Sequence, residues 1–157
     1  MAYQKLQAER ALKVIPSDTI NIPNIAGAAI IGTTTQPAPS GTVLVDGTQN
    51  FNSTQGLIGS IVYLAGGVAT VTSIVNNTTL GLSASIVNTG STESYSLYAD
   101  ANQGCVLYVG NTGNVRVLTA GNDDVTFVGI PAGAFVPVQV KRVFATDTDA
   151  TDIVALW

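Results

Sequence analysis

Three carboxylates fall at short spacing in the stretch DTDATD: Asp147, Asp149 and Asp152. Acidic side chains so close together can converge on a hard cation such as calcium, which takes six to eight oxygen ligands. The stretch lacks the glycine at the sixth loop position and the distant bidentate glutamate that define a helix-loop-helix calcium site. Asp and Thr also favour turns, because their side chains hydrogen-bond to nearby backbone. The expectation is therefore a turn between strands, with no metal ligands assigned.

The remaining chemistry is sparse. Asp123 and Asp124 are adjacent, but neighbouring residues of a strand or turn point apart, which disfavours paired acid-base work. Cys105 is the only cysteine, so there is no internal disulfide and no thiolate cluster. In GCVLYVG it reads as a buried, inert thiol. The chain has no histidine, which removes the usual general base, the Ser-His-Asp and Cys-His arrangements and the commonest zinc ligand. Tyr63, Tyr95 and Tyr98 suggest a sugar-stacking platform, although core or contact positions account for them more simply. GNTGN and AGGVA lead into no helix, so neither cradles phosphate. No catalytic, cofactor-binding or metal residue is assigned, no cofactor is expected, and the chain is not read as an enzyme.

Charge narrows the partners. Apolar residues make up 46% of the 157 and charged residues 10%, with a net charge of -4. Average soluble proteins carry about 25% charged residues. Such a neutral surface suits a protein packed against copies of itself or a larger assembly. No Lys or Arg lies between Lys13 and Arg116, so no basic track exists for nucleic acid. Lys141 and Arg142 are adjacent and read as ordinary surface charge. No run is long and apolar enough for a membrane span, and INIPNIAGAAIIG is broken by Pro23. The chain is expected to stay soluble in the cytoplasm where it is made.

The elements that would carry these residues are strands. Val, Ile, Thr and Tyr recur in short runs from Val14 onward, punctuated by Gly, Asn, Asp or Pro. This pattern predicts an all-β protein. Residues 1–13 read as an N-terminal arm that includes Lys5, Glu9, Arg10 and Lys13. Breaks at TTTQPAPSG (33–41) and ADANQG (99–104) divide the remainder. Residues 41–98 hold five strand patterns and read as a small SH3-like β-barrel. They interrupt an outer β-sandwich-like domain made of residues 14–40 and 99–157. In the outer domain a meander is expected from Cys105 onward. The run Val136 to Phe144 alternates, with Val136, Val138, Val140, Arg142 and Phe144 on one face. DIVALW is expected to pair with VQVKRVFA across TDTDA, leaving Trp157 against the core or a neighbouring subunit.

The stretches ERALKVIPSDTINIP and GCVLYVGNTGNVRVL…TFVGIPAGAFVPVQV…TDIVALW together resemble the head spike base and head decoration proteins of tailed phages and gene transfer agents. The resemblance spans about residues 9–32 and 104–157; the middle resembles a module of other phage structural proteins. It implies a β-rich virion protein on the exterior of the phage head, acting as cement or as a spike base and assembled in the host cytoplasm. The implied partners are the major capsid protein, copies of the chain itself as a trimer or pentamer, and a head fibre protein. It implies no catalytic residues. A glycan-binding adhesin of fibre type and a tail or neck adaptor are the alternatives.

Overall fold

The computed structural model describes residues 8, 10–23, 30–35, 37–98 and 104–157. Among them the fold is all-β, with two antiparallel six-stranded sheets, one of which curls into a half-barrel. The chain divides into two compact units, Met1–Ile22 with Asn102–Trp157, and Pro23–Ala101.

The outer unit holds β1 (Ala11–Lys13), β8 (Cys105–Val109), β9 (Gly113–Thr119), β10 (Asp124–Ile130), β11 (Ala134–Val143) and β12 (Ile153–Leu156), in the order β1-β12-β8-β11-β9-β10. Its core is built by alternation. Cys105, Leu107 and Val109 are buried on β8, while Val106 and Tyr108 on the opposite face are half-buried. Val115, Val117, Val136, Val140, Val143, Ala150, Ile153 and Ala155 complete the buried cluster, to which Val14 and Ile22 add from the segment after β1. Each fully buried Leu or Val contributes about 1.5–3 kcal/mol of transfer free energy. The segment after β1 is stitched on by Ser17 N–H to the Val143 carbonyl at 2.9 Å and Ile22 N–H to the Lys141 carbonyl at 2.8 Å.

Two expectations for this unit are corrected. The meander holds only for the β9-β10 hairpin, because β11 returns between β8 and β9 rather than beside β10. Likewise β12 pairs with β8 and β1, not with β11, so TDTDA carries the chain across the end of β8 instead of closing a hairpin. The alternation along β11 also fails midway. Register shifts between Val136 and Val140, and again between Val140 and Arg142, reset the period. Each such irregularity inserts an unpaired residue and bends the strand. Val143 consequently turns inward, while Arg142 and Phe144 are only half-buried.

The second unit contains the five expected strands: β3 (Val43–Val45), β4 (Ile61–Leu64), β5 (Gly67–Asn76), β6 (Thr79–Leu82) and β7 (Ser94–Tyr98). It also holds β2 (Ile30–Thr33), which pairs with β7. The unit thus begins at Pro23 rather than at residue 41, and residues 23–40 leave the outer domain to which the sequence reading assigned them. The break expected at 33–41 is tied in: Thr34 N–H donates to the Glu93 carbonyl, Thr35 N–H to the Val45 carbonyl, and Ala38 lies in the core. The turn at Asn76 and Asn77 needs no positive φ; Asn76 Oδ1 accepts from Thr78 N–H at 2.9 Å and closes it locally. Of the expected arm, Ala11–Lys13 is a strand of the outer sheet. Residues 1–7 and 9 lie outside the described residues, so the arm's Lys5 and Glu9 do as well.

Candidate functional site

The turn that carries Asp147, Asp149 and Asp152 is held by its own carboxylates, each engaged elsewhere. Asp147 and Asp152 adopt left-handed backbone, at φ 65° and 54°, a region that Asp tolerates better than most residues. Asp147 meets Arg116 at 3.4 Å. Asp149 Oδ1 accepts the Asn114 N–H. Asp152 Oδ2 accepts from Asn111 Nδ2 at 2.7 Å. The three side chains therefore fasten β9 and the loop before it to the 146–152 segment. No group of three His, Cys, Asp or Glu among the described residues is placed to hold a metal ion. A groove of about 460 Å³ beside the turn is lined by Asn114, Thr126, Asp147, Thr148 and Asp149.

Asp123 and Asp124 also separate. Asp123 closes the β9-β10 turn, its N–H donating to Thr119 Oγ1 at 3.0 Å. Asp124 takes both Arg116 Nε and Nη2, at 2.9 and 2.7 Å, and these bonds hold its carboxyl below the usual carboxylate range. The Arg116 guanidinium stacks 4.6 Å from the Phe144 ring centre, and Arg142 lies 5.6 Å from the same ring. Arg142 binds the 17–22 segment through Asn21 Oδ1 and the Asp18 carbonyl, while Lys141 Nζ contacts Asn122 Oδ1. These cations are structural ties.

Cys105 is buried and donates to the Val140 carbonyl. Burial pushes its thiol up to about 12, so it stays a thiol at neutral pH. Of the three tyrosines, Tyr95 is buried and unavailable for stacking on a sugar, whereas Tyr63 and Tyr98 are half-buried.

Tyr95 serves a cluster that sequence reasoning missed. Its hydroxyl donates to Asp46 Oδ2 at 2.8 Å, and Asp46 Oδ1 accepts from Thr48 N–H at 2.9 Å and Thr48 Oγ1 at 2.7 Å. Burial alone would raise the Asp46 pKa; the bonds from Thr48, Tyr95 and the Thr33 backbone outweigh it, and the carboxyl sits below its ordinary value. Burial and the facing carboxylate raise Tyr95. A Cβ on Gly32 would stand 2.5 Å from both Asp46 Oδ2 and the Tyr95 hydroxyl, so β2 approaches this pair closely. The signal available in the sequence was Asp46-Gly-Thr48, an Asp two residues before a Thr, which is an ordinary turn pattern.

Large apolar side chains remain exposed at strand edges and turns. Val128 on edge strand β10 is 80% exposed, Phe135 at the start of β11 60% and Ile31 on edge strand β2 73%, with Val125, Ile58 and Val75 also exposed. Phe135 lies across from Tyr108, their rings 5.5 Å apart and edge to face. Tyr108 in turn faces Val154, and Val106 faces Leu156, so the outward side of this sheet carries an apolar ladder. Trp157 packs partly against the core of the outer unit, and its Nε1 is shielded from solvent with no acceptor among the described residues.

No family model, curated protein or solved structure matches this chain. The arrangement offers surfaces for binding: a two-faced sheet, strand edges and exposed apolar side chains.

Proposed function

We propose that the chain is a structural protein of a tailed-phage or gene-transfer-agent particle, seated on the exterior of the head as a decoration protein or spike base. The observation that carries this reading is the outer unit itself. Of the two stretches that resemble head spike base and decoration proteins, about residues 9–32 and 104–157, the described parts 10–22 and 104–157 lie in one compact unit whose strands form one sheet, while residues 23–32 belong to the other unit. That sheet presents apolar residues on its outward side and at its edge, as a subunit made for contact does. The major capsid protein and further copies of the chain are the proposed partners, and Pro23–Ala101 is free to carry a separate task, such as holding a head fibre protein.

The test is particle imaging. Cryo-microscopy of particles made with and without the chain should show density on the head exterior that disappears with the chain. Unchanged heads overturn the reading, and density lost from the neck or tail replaces it with the adaptor alternative.

A further inference from the structure

We infer that copies of this chain join head to tail by continuing the outer sheet, the outer edge of β10 in one copy pairing antiparallel with the outer edge of β1 in the next. The inference rests on the self-assembly part of the proposed function and gives it a surface.

Strand direction permits the contact. Among the described residues β10 and β1 are the two edges of the six-stranded outer sheet, and every neighbouring pair in it is antiparallel, so the two edge strands run in opposite directions. A second copy in the same orientation therefore offers its β1 antiparallel to β10. An odd number of strands would have offered it parallel.

Side-chain phase selects the register. Val125 lies across from buried Val117, and Leu12 across from buried Ala155, so both belong to the core side of the sheet. Setting Val125 opposite the next copy's Leu12 continues that apolar side at this pair. The same register sets Asp124 opposite Lys13 and Thr126 opposite Ala11 on the outward side, and brings Phe127 to Arg10.

Charge and length agree with it. The β10 edge begins with Asp123 and Asp124, whereas β1 is flanked by Arg10 and ends in Lys13. Asp124 already binds Arg116 and Lys13 lies 4.0 Å from Asp152, but each carboxylate oxygen keeps a second acceptor position and the ammonium carries three donors. The regular run of β10 ends at the register shift after Phe127, so Asp124–Phe127 matches Arg10–Lys13 in length. A two-fold pairing of β10 with itself in the same phase sets Asp124 against Thr126 or Val128 and leaves the basic edge uncovered. Head-to-tail contacts of this kind close into rings when the rotation per copy permits.

Two single-cysteine additions to the full-length purified protein test this, Ala11→Cys and Thr126→Cys. Both positions are exposed, and the native Cys105 is buried. Residues directly opposite in an antiparallel pair lie about 4.5–5.5 Å apart, within disulfide range. Mild oxidation of the two variants mixed should give a cross-linked pair, resolved by mass spectrometry as a disulfide between position 11 of one chain and position 126 of the other, with only background in either variant alone. A chain carrying both substitutions should give a ladder that stops at a closed ring. Absence of the mixed cross-link overturns the inference, and so does a Thr126→Cys variant that cross-links with itself. Cross-linking in solution by a chain that leaves no density on heads refutes the shell position and keeps the edge; density on heads without cross-linking refutes the edge alone.

Discussion

Replacing Tyr95 by Phe removes one hydroxyl and tests whether the Asp46 cluster holds the second unit together. That hydroxyl is a donor to a buried carboxylate at 2.8 Å, and hydrogen bonds to charged groups contribute about 1.5–3 kcal/mol. The cavity left is no larger than one oxygen, so the loss should be almost wholly electrostatic. The folded pKa of Asp46 lies below its ordinary value, and an unfolded Asp titrates near 3.9. The stabilisation is therefore present above about pH 4 and is lost as pH falls through the folded pKa. Tyr95→Phe should unfold about 1.5–3 kcal/mol more easily in urea at pH 7, and the gap from wild type should narrow on acidification, when both carboxyls are protonated. Amide hydrogen exchange should speed up first in β2, β3 and β7, the segments that meet at Asp46. Tyr98→Phe, which removes a hydroxyl from a half-buried position, is the control and should stay within about 0.5 kcal/mol. A Tyr95→Phe protein as stable as wild type at pH 7, with the same acid limb, would refute the reasoning.

Leu107→Ala should cost about 2–5 kcal/mol in urea unfolding, because Leu107 is fully buried at the centre of the outer sheet. Cys105 should resist a thiol reagent at pH 8 and label quickly once urea unfolds the outer unit, since its thiol is buried and titrates only near 12; fast labelling of the folded protein would contradict the burial. Calorimetric titration with calcium should show no stoichiometric site at the 146–152 turn, where Asp147, Asp149 and Asp152 serve Arg116, Asn114 and Asn111. Tight binding there would mean that the carboxylates leave those partners for a shared ion. Gly32→Ala should destabilise the second unit more than Gly90→Ala by urea unfolding, because a methyl at 32 collides with Asp46 and Tyr95 whereas one at 90 meets only Asn88 Oδ1 at 3.5 Å, an ordinary contact.

The all-β class was legible because β-branched runs alternate with turn residues, a pattern that survives in β3, β4 and β5. Partners were not legible. Alternation in β8, β11 and β12 assigns faces, yet nothing in it distinguishes β12 beside β8 from β12 beside β11. The β11 faces were read correctly at Val136 and Val140 and wrongly at Val143, because irregular pairing resets the period without any glycine or proline at the Val140–Arg142 step. The start of the second unit was missed because β2 is only four residues long and precedes a proline-rich stretch. The turn at DTDATD was anticipated from Asp and Thr chemistry, whereas its anchors at Asn111, Asn114 and Arg116 come from a strand and loop more than thirty residues earlier in the chain. Asp46 stayed hidden because its donor lies across the unit on β7.

Ala11 finds Leu156, and Val14 N–H donates to the Ile153 carbonyl, although the entire second unit intervenes in the chain. During synthesis β1 must therefore wait, its docking edge not yet made. Loop-closure entropy rises only with the logarithm of length, about 0.6 kcal/mol per doubling, but a folded insertion acts as a far shorter tether than a loose one. In the second unit Ile30 lies across from Leu97, so early folding of Pro23–Ala101 should bring the two halves of the outer sheet within reach of each other. A weakened insertion should therefore slow the assembly of a sheet to which it contributes no strand.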